Sequence, residues 1–351
     1  MKKIILAGGG TGGHCIPIRV IFERFKKKNI DCFIVTDKKG KSFFKNIDKS
    51  KIILLSKINE SNKKIYHVIN FPYLIFQSIK IFFKIKPRFS IGFGGFITFP
   101  FILIGSLMNF NVAVHEANAV FGKANKYLVK YVKYVFVTFS QTKNLDIKYR
   151  SKIFHVGMPI RNEINMNFKE DNQFFKICVI GGSQGSASLS RFVPSALIKF
   201  NSTIDKEVFV SHQTRTKDIK SIKSYYQTHK ISSEVNDYFE DMPIRISKAN
   251  LIISRSGSST INEIIYFGKP SILIPYPYDS DNHQHENAKI LANLSCADII
   301  LDKELSAENL YHLILKTYHN SLDNEYINSK LDKIRVPNPS EKIFNIIKKS
   351  L

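Results

Sequence analysis

A histidine follows a dense cluster of glycines near the start of the chain. Residues 8–13 read Gly-Gly-Gly-Thr-Gly-Gly, and His14 comes next. An apolar segment precedes the cluster and apolar residues at helical spacing follow it, which predicts a strand, a tight loop and a helix. The positive end of a helix dipole disfavours imidazolium, so His14 fits a neutral general base. The alternative is a loop histidine that only caps or packs.

Two later segments repeat this arrangement of strand, loop of small residues and helix. Residues 181–186 form a second glycine loop that contains Ser183, and residues 254–263 form a serine-rich loop that leads to Glu263. Both loops are predicted to hold an anion at a helix N-terminus. Glu263 is expected in the first helical turn, where it either stabilises the helix dipole or accepts hydrogen bonds from ribose hydroxyls.

Other residues keep different chemistries open. No Gly-Lys-Ser/Thr follows the first glycine cluster, so it is not a Walker loop, but Asp37 stands where a nicotinamide-dependent oxidoreductase would bind ribose. Residues 279–284 can read sugar hydroxyls, bind a metal through two aspartates and a histidine, or form an exposed turn.

The composition favours an anionic partner. The chain has 351 residues, 52 Lys and Arg against 29 Asp and Glu, and a net charge of +23. Phosphates, anionic lipid and nucleic acid all suit that charge, although compositional drift of a genome also produces it. We expect no nucleic-acid binding because the sequence contains no recognised module for it. The four scattered cysteines lack metal-ligand spacing, which indicates a reduced, cytoplasmic protein without a metal site. The longest nearly uncharged stretch, residues 96–108, is too short to span a membrane.

Strands that alternate with helices predict an α/β fold with parallel sheets. The strand, glycine loop and helix recur at residue 176, after a polar segment at residues 162–173 that is predicted to be a linker. Two Rossmann-like domains follow, over residues 1–161 and 162–338, with a basic C-terminal helix at 339–351 that is expected to pack on the first domain. Eleven strands are expected, at residues 3–7, 31–35, 51–55, 89–91, 112–115, 134–137, 176–180, 207–210, 251–254, 271–274 and 298–301.

Two basic amphipathic segments lie in the first domain. Residues 71–86 place Ile75, Ile79, Phe82 and Phe83 at helical spacing, and residues 123–133 interleave lysines with tyrosines. Such helices either pack on a core with their lysines in solvent or lie on an anionic bilayer.

The motifs in combination resemble the metal-independent GT-B glycosyltransferases that add N-acetylglucosamine to the lipid-linked precursor of peptidoglycan. These motifs are GGGTGGH (8–14), GFGGF (92–96), HEAN (115–118), GMPIR (157–161), GGSQGS (181–186), RSGSSTINE (255–263) and HQ (283–284). The resemblance implies two Rossmann-like domains that face a cleft, and no cofactor. It implies UDP-N-acetylglucosamine as donor, an undecaprenyl-linked acceptor, and a peripheral location on the cytoplasmic face of the bacterial inner membrane.

The resemblance also assigns the site residues. His14 matches the proposed catalytic histidine, and Gly94 and Gly95 match the acceptor pyrophosphate loop. The donor-binding positions are Thr11, Gly12, Gly13, Asn118, Arg161, Ser183, Phe239, Ser258, Ser259, Thr260, Ile261, Asn262, Glu263 and Gln284. The chain departs from the family pattern at Ala117 and at Phe99. A related enzyme that glycosylates diacylglycerol remains the nearest alternative.

Overall fold

A computed structural model describes residues 2–56, 64–160, 173–182, 185–279, 282–320 and 324–351, and excludes the side chains of 64–69 and 324. The chain forms two compact units. Unit 1 comprises Met1–Ile160 and Val336–Leu351, and unit 2 comprises Arg161–Arg335. These boundaries differ by one and three residues from those expected from the sequence.

Unit 1 contains one parallel sheet. Its strands are β1 (Lys3–Ala7), β2 (Asp31–Thr36), β3 (Ile52–Leu54), β4 (Phe89–Gly92), β5 (Val112–Glu116), β6 (Tyr134–Val137) and β7 (Ile153–His155). They lie in the order β3-β2-β1-β4-β5-β6-β7. The chain adds strands on one side of β1 and then crosses to the other side at β4. The switch point of the sheet therefore lies between the carboxyl ends of β1 and β4, which is where open α/β sheets bind ligands.

The helices of unit 1 cover both faces of this sheet. They are α1 (Gly12–Lys26), α2 (Lys64–Ile85), α3 (Thr98–Leu107), α4 (Lys123–Leu128) and α12 (Pro339–Ile347). Alternation along β1 sends Ile4 and Leu6 into the core with α1 and α12, while Ile5 and Ala7 enter the core with α2 and α3. The C-terminal helix packs on α1, where Phe344 meets Phe25 edge-on at 5.7 Å between ring centroids.

Unit 2 repeats the architecture. Its strands are β8 (Phe174–Ile180), β9 (Glu207–Gln213), β10 (Ser232–Asn236), β11 (Leu251–Ser254), β12 (Ser271–Leu273) and β13 (Ala297–Ile299). They lie parallel in the order β10-β9-β8-β11-β12-β13, so the switch point lies between β8 and β11. Its helices are α5 (Ala187–Asn201), α6 (Ile219–Thr228), α7 (Met242–Lys248), α8 (Ser258–Phe267), α9 (His283–Ala292), α10 (Ala307–His319) and α11 (Asn324–Leu331).

The predicted fold class of two Rossmann-like units is confirmed, with local differences. The predicted basic helix over residues 123–133 is wrong in extent, because α4 ends at Leu128. The chain must turn there to enter β6, and Lys133 already donates its backbone N–H to the carbonyl of Val112 at 2.9 Å. Phe83 does not lie on the buried face of α2 and is 64% exposed, whereas its neighbour Phe82 is fully buried.

Candidate active site

Two glycine loops meet at the switch point of unit 1. The amide of Gly9, in the loop after β1, donates to the carbonyl of Gly94 after β4 (3.4 Å). Gly94 and Gly95 have φ angles of +102° and +91°. A β-carbon on Gly95 would come within 2.7 Å of the carbonyl oxygen of Gly9. Glycine is therefore required at this contact both by conformation and by space.

His14 lies in the first turn of α1, half-buried against the loop of Gly94 and Gly95. Its Nδ1 is 3.0 Å from the carbonyl oxygen of Gly9. A carbonyl only accepts hydrogen bonds, so Nδ1 carries the proton and Nε2 keeps its lone pair. That Nε2 faces the loop of Gly94 and Gly95, where a β-carbon on Gly94 would lie 2.7 Å away. The tautomer is the one that a general base requires.

The environment of His14 favours its neutral form. Burial lowers the pKa of His14 below its usual 6.5, while the Gly9 carbonyl and the charges of Glu116 and Asp37 raise it in part. A base with a lowered pKa is unprotonated across neutral pH and loses function only as the pH falls through that pKa.

Asp37 holds the first glycine loop. Its Oδ1 accepts from the amides of Gly10 (3.1 Å) and Gly40 (2.7 Å). A β-carbon on Gly9 would lie 2.8 Å from the Asp37 carboxyl carbon. The side chain thus bonds to the loop itself, in contrast to the ribose-binding role of the oxidoreductase alternative.

We expect the Asp37→Asn variant to shift the pH profile of catalysis. The asparagine oxygen can still accept from both amides, but the lost charge lowers the pKa of His14 further. The acid limb of kcat/KM should therefore move to lower pH. Asp31→Asn, which removes a carboxylate paired with Lys51 elsewhere in unit 1, should leave the limb in place. A limb that moves to higher pH in Asp37→Asn would disprove this electrostatic coupling.

A buried carboxylate organises the segment after β5. Glu116 is 4% exposed. Its Oε1 accepts from the backbone and side-chain amides of Asn118, both at 3.1 Å, and its Oε2 accepts from Gly122 and Asn125, both at 2.8 Å. Four donors stabilise the buried charge and fix the side chain of Asn118. Ala117 is buried in the same segment.

The departure at Phe99 is accommodated by packing. Phe99 is half-buried and packs on the core cluster beside Phe71 of α2, at 6.0 Å between ring centroids. The preceding Thr98 donates its hydroxyl to the Gly94 carbonyl at 2.6 Å. Thr98 therefore braces the loop of Gly94 and Gly95, and Phe99 packs on the core beside it.

In unit 2, the loops after β8 and β11 lie at the other switch point. The hydroxyl of Ser186 caps α5 by accepting from the amide of Leu189 at 3.3 Å. Arg161 and Ser183, two of the predicted donor-binding residues, lie outside the described part of the chain.

Helix α8 begins at Ser258 with Gly257 as its N-cap, and Ile261 donates the first intrahelical bond to the Gly257 carbonyl at 3.0 Å. The amides of Ser258, Ser259 and Thr260 therefore have no acceptor within the helix and suit an anion. The Ser259 hydroxyl is buried without a hydrogen-bond partner among the described residues.

The remaining residues of this helix include one correction. Ile261 is buried in the core, and Asn262 donates its side-chain amide to the Ser258 carbonyl at 2.8 Å. Glu263 is not in the first turn of α8 but in the second, and it is 8% exposed. The helix-dipole effect declines within the first turn, so a buried carboxylate here needs another explanation.

Phe239 and Gln284 complete the described predicted positions in unit 2. Phe239 is buried, and the guanidinium of Arg245 lies 4.1 Å from its ring centroid. Gln284 is the second residue of α9, and its Oε1 accepts from the backbone amide of Tyr276 at 3.1 Å. Among the described residues, no three His, Cys, Asp or Glu side chains are grouped to hold a metal; Asp281 is not among them.

The structure thus brings the predicted residues together in two sets. Within unit 1, His14 lies against Gly94, and the charge of Glu116, which holds Asn118, acts on it. Within unit 2, Ser258–Glu263 and Gln284 follow neighbouring strands at one edge of the sheet. No role was expected from the sequence for Arg255, the first residue of the RSGSSTINE motif, which is a buried arginine at the same edge. Its signal was a charged residue directly after an apolar strand.

Each unit matches the model of a known domain family. The model of the glycosyltransferase family 28 N-terminal domain matches residues 4–137, and that of the C-terminal domain matches residues 176–341. The chain is also similar in fold to the crystal structure of MurG from Acinetobacter baumannii, with a TM-score of 0.76, 22% identity, and coverage of 99% of this chain and 100% of that one.

Two curated relatives carry one name, UDP-N-acetylglucosamine--N-acetylmuramyl-(pentapeptide) pyrophosphoryl-undecaprenol N-acetylglucosamine transferase. The protein from Bartonella henselae is 32% identical over 327 residues, which cover 90% of this chain and 85% of the relative. The protein from Wolbachia pipientis wMel is 30% identical over 347 residues, which cover 98% of each chain.

Proposed function

The chain belongs to glycosyltransferase family 28, and on that premise we propose that it transfers N-acetylglucosamine from UDP-N-acetylglucosamine to the muramoyl C4 hydroxyl of an undecaprenyl-pyrophosphoryl-linked pentapeptide precursor. The product is the disaccharide-carrying lipid used for peptidoglycan synthesis. The observation that carries this proposal in the molecule itself is the free Nε2 of His14 at the switch point of unit 1.

The proposed reaction inverts the anomeric centre. The C4 hydroxyl oxygen attacks the anomeric carbon, its proton passes to Nε2 of His14, and the bond from the anomeric carbon to UDP breaks. The amides at the start of α8 stabilise the negative charge that develops on the departing diphosphate. Glu263 accepts from the ribose hydroxyls. Thr11–Gly13, Asn118, Arg161, Ser183, Phe239 and Gln284 complete the proposed donor site, and Gly94 and Gly95 receive the acceptor pyrophosphate.

An acceptor comparison tests the proposal. Purified protein is incubated with UDP-N-acetylglucosamine and either a lipid I analogue or diacylglycerol in matched detergent, and the lipids are analysed by mass spectrometry. We expect one added N-acetylhexosamine on the lipid I analogue and none on diacylglycerol. The reverse result would assign the chain to the glycolipid alternative.

The acceptor's polyprenyl tail requires a surface that meets a bilayer, and the exposed side chains of α2 in unit 1 support such a role. Tyr73, Phe76, Lys80 and Phe83 follow one another at helical spacing, and the three aromatic rings are 38%, 53% and 64% exposed. Lys80 lies over the ring of Phe76 at 4.3 Å. Among the described helices, none is both long and apolar enough to cross a membrane.

Two further helical segments of unit 1 carry exposed apolar side chains. Helix α3 packs against α2 and ends at Leu107, which is 62% exposed. The hydroxyl of Ser106 donates to the backbone carbonyl of Tyr131, and the side chains of Tyr127 and Tyr131 are 66% and 42% exposed. We propose that these apolar side chains, with Lys80, Lys84 and Lys130, form a membrane-binding surface. Through it the protein binds to the cytoplasmic face of the bacterial plasma membrane.

We expect a charge-reversed variant, Lys80→Glu with Lys84→Glu and Lys130→Glu, to lose most binding to anionic vesicles while it retains UDP binding. Each interfacial lysine contributes about 1 kcal/mol near an anionic surface. The matched control reverses Lys217, Lys220 and Lys223, three exposed lysines of unit 2, with the same change in net charge. Cosedimentation over a range of salt measures both. Equal loss in the two variants would mean that net charge alone drives binding.

A further inference from the structure

Arg255 is a buried cation at the carboxyl end of β11. Arg255 is 9% exposed and lies three residues before Ser258, where helix α8 begins. A buried guanidinium costs free energy unless protein groups accept its hydrogen bonds. The groups that accept those hydrogen bonds therefore indicate the role of the side chain.

The acceptors of Arg255 come from three separate segments. On the first, Nε donates to the Ser186 hydroxyl at 3.1 Å and Nη2 to the Ser188 hydroxyl at 2.7 Å. On the second, Nη1 donates to the carbonyls of Ile274 and Pro275, both at 3.1 Å. The third segment supplies an ion pair, in which Asp302 lies 2.6 Å from Nη1.

Each of these segments lies at the edge of the sheet that holds the proposed donor site. Ser186 and Ser188 join the glycine loop after β8 to helix α5. Pro275 leads from β12 into Tyr276, whose amide bonds to Gln284. Asp302 follows β13 and also accepts from the Ser188 hydroxyl at 2.8 Å. One side chain thus ties the loops after β8, β12 and β13 together.

We propose that Arg255 is a positioning residue for the UDP-sugar, which acts through these loops and does not contact the diphosphate itself. An arginine beside an anion site would ordinarily be assigned to the phosphates. Here Nε and both terminal nitrogens engage protein acceptors. A planar fork that reaches three segments is a geometry that lysine, a single point charge, does not reproduce. This inference rests on the proposed donor specificity.

The test uses two variants that separate positioning from phosphate binding. Arg255→Lys keeps the charge but loses the fork, so the KM for UDP-N-acetylglucosamine should rise at least about tenfold while the KM for the acceptor stays within about twofold. Asp302→Asn removes the negative charge that pairs with the arginine and so weakens its contact with the segment after β13, and affinity for UDP should therefore fall. If Arg255 bound the diphosphate directly, removing its competing carboxylate would raise that affinity instead.

A matched control and a binding measurement complete the test. Asp298 lies on β13 of the same sheet and pairs with Lys316, with 2.9 Å between Oδ1 and Nζ. Asp298→Asn removes this ion pair and should leave donor affinity unchanged. Calorimetry with UDP and UDP-N-acetylglucosamine measures all variants, and thermal melting excludes unfolded samples. Normal donor KM in Arg255→Lys, or tighter UDP binding in Asp302→Asn, overturns the proposal. If the wild-type protein fails to bind UDP-N-acetylglucosamine at all, the proposed function fails first.

Discussion

Replacing His14 by alanine or asparagine lowers the turnover number by about a hundredfold or more, the usual contribution of a positioned general base, and leaves UDP affinity near normal. Asparagine is the sharper variant. Its side-chain amide can still donate to the Gly9 carbonyl, as Nδ1 of His14 does at 3.0 Å, but it provides no base in place of Nε2.

Steady-state kinetics at saturating substrates and calorimetry with UDP measure the two effects. His155→Ala is the matched control, because His155 is also half-buried in unit 1 and bonds to a backbone carbonyl, that of Thr138 at 3.0 Å. Its turnover should stay close to that of the wild type. Near-normal turnover in His14→Asn would show that His14 only holds the loop and that the base lies elsewhere.

The Glu263→Ala variant is expected to bind the UDP-sugar much more weakly than the wild-type protein does. A hydrogen bond to a charged acceptor contributes about 1.5 to 3 kcal/mol, so each lost ribose contact weakens affinity by roughly ten- to a hundredfold. Since Glu263 lies in the second turn of α8, the loss of a helix-dipole interaction does not account for such an effect.

A cycle with a modified ligand isolates the ribose contact. The wild type should bind 2′-deoxy-UDP more weakly than UDP, whereas Glu263→Ala should bind both equally. Glu263→Gln, which keeps the shape of the side chain, controls for packing at this buried position. Unchanged UDP affinity in the alanine variant would remove Glu263 from the site.

Much of the sheet architecture was predictable because the buried parallel strands are nearly continuous apolar segments. β1, β6 and β11 begin and end at the predicted residues. β10 was not predicted, because its sequence Ser-Ser-Glu-Val-Asn has a single apolar residue and it pairs only at the edge of its sheet. β7 has three residues and offers too little pattern. The glycine loops at residues 8–13 and 181–186 were recognisable from the sequence, and each follows a strand, β1 or β8, that borders a switch point.

The sequence indicated candidate residues for the site but not the hydrogen bonds that they make. The sequence located His14 but did not reveal which ring nitrogen is free, since that depends on the Gly9 carbonyl. Asp37 was open between ribose binding and another role, and its bonds to Gly10 and Gly40 are tertiary contacts that no spacing encodes. The role of Arg255 likewise depends on loops from distant parts of the chain. The family resemblance predicted from the combined motifs is confirmed by the matches to both domains of glycosyltransferase family 28.

The release of UDP from UDP-N-acetylglucosamine measures whether the proposed transfer depends on the acceptor and is independent of metal. The protein is incubated with the donor and excess chelator, with and without a lipid I analogue, and UDP is quantified over time. We expect steady UDP release only when the analogue is present, at a rate that the chelator leaves unchanged. No release with the analogue, or release that requires added divalent metal, would contradict the account.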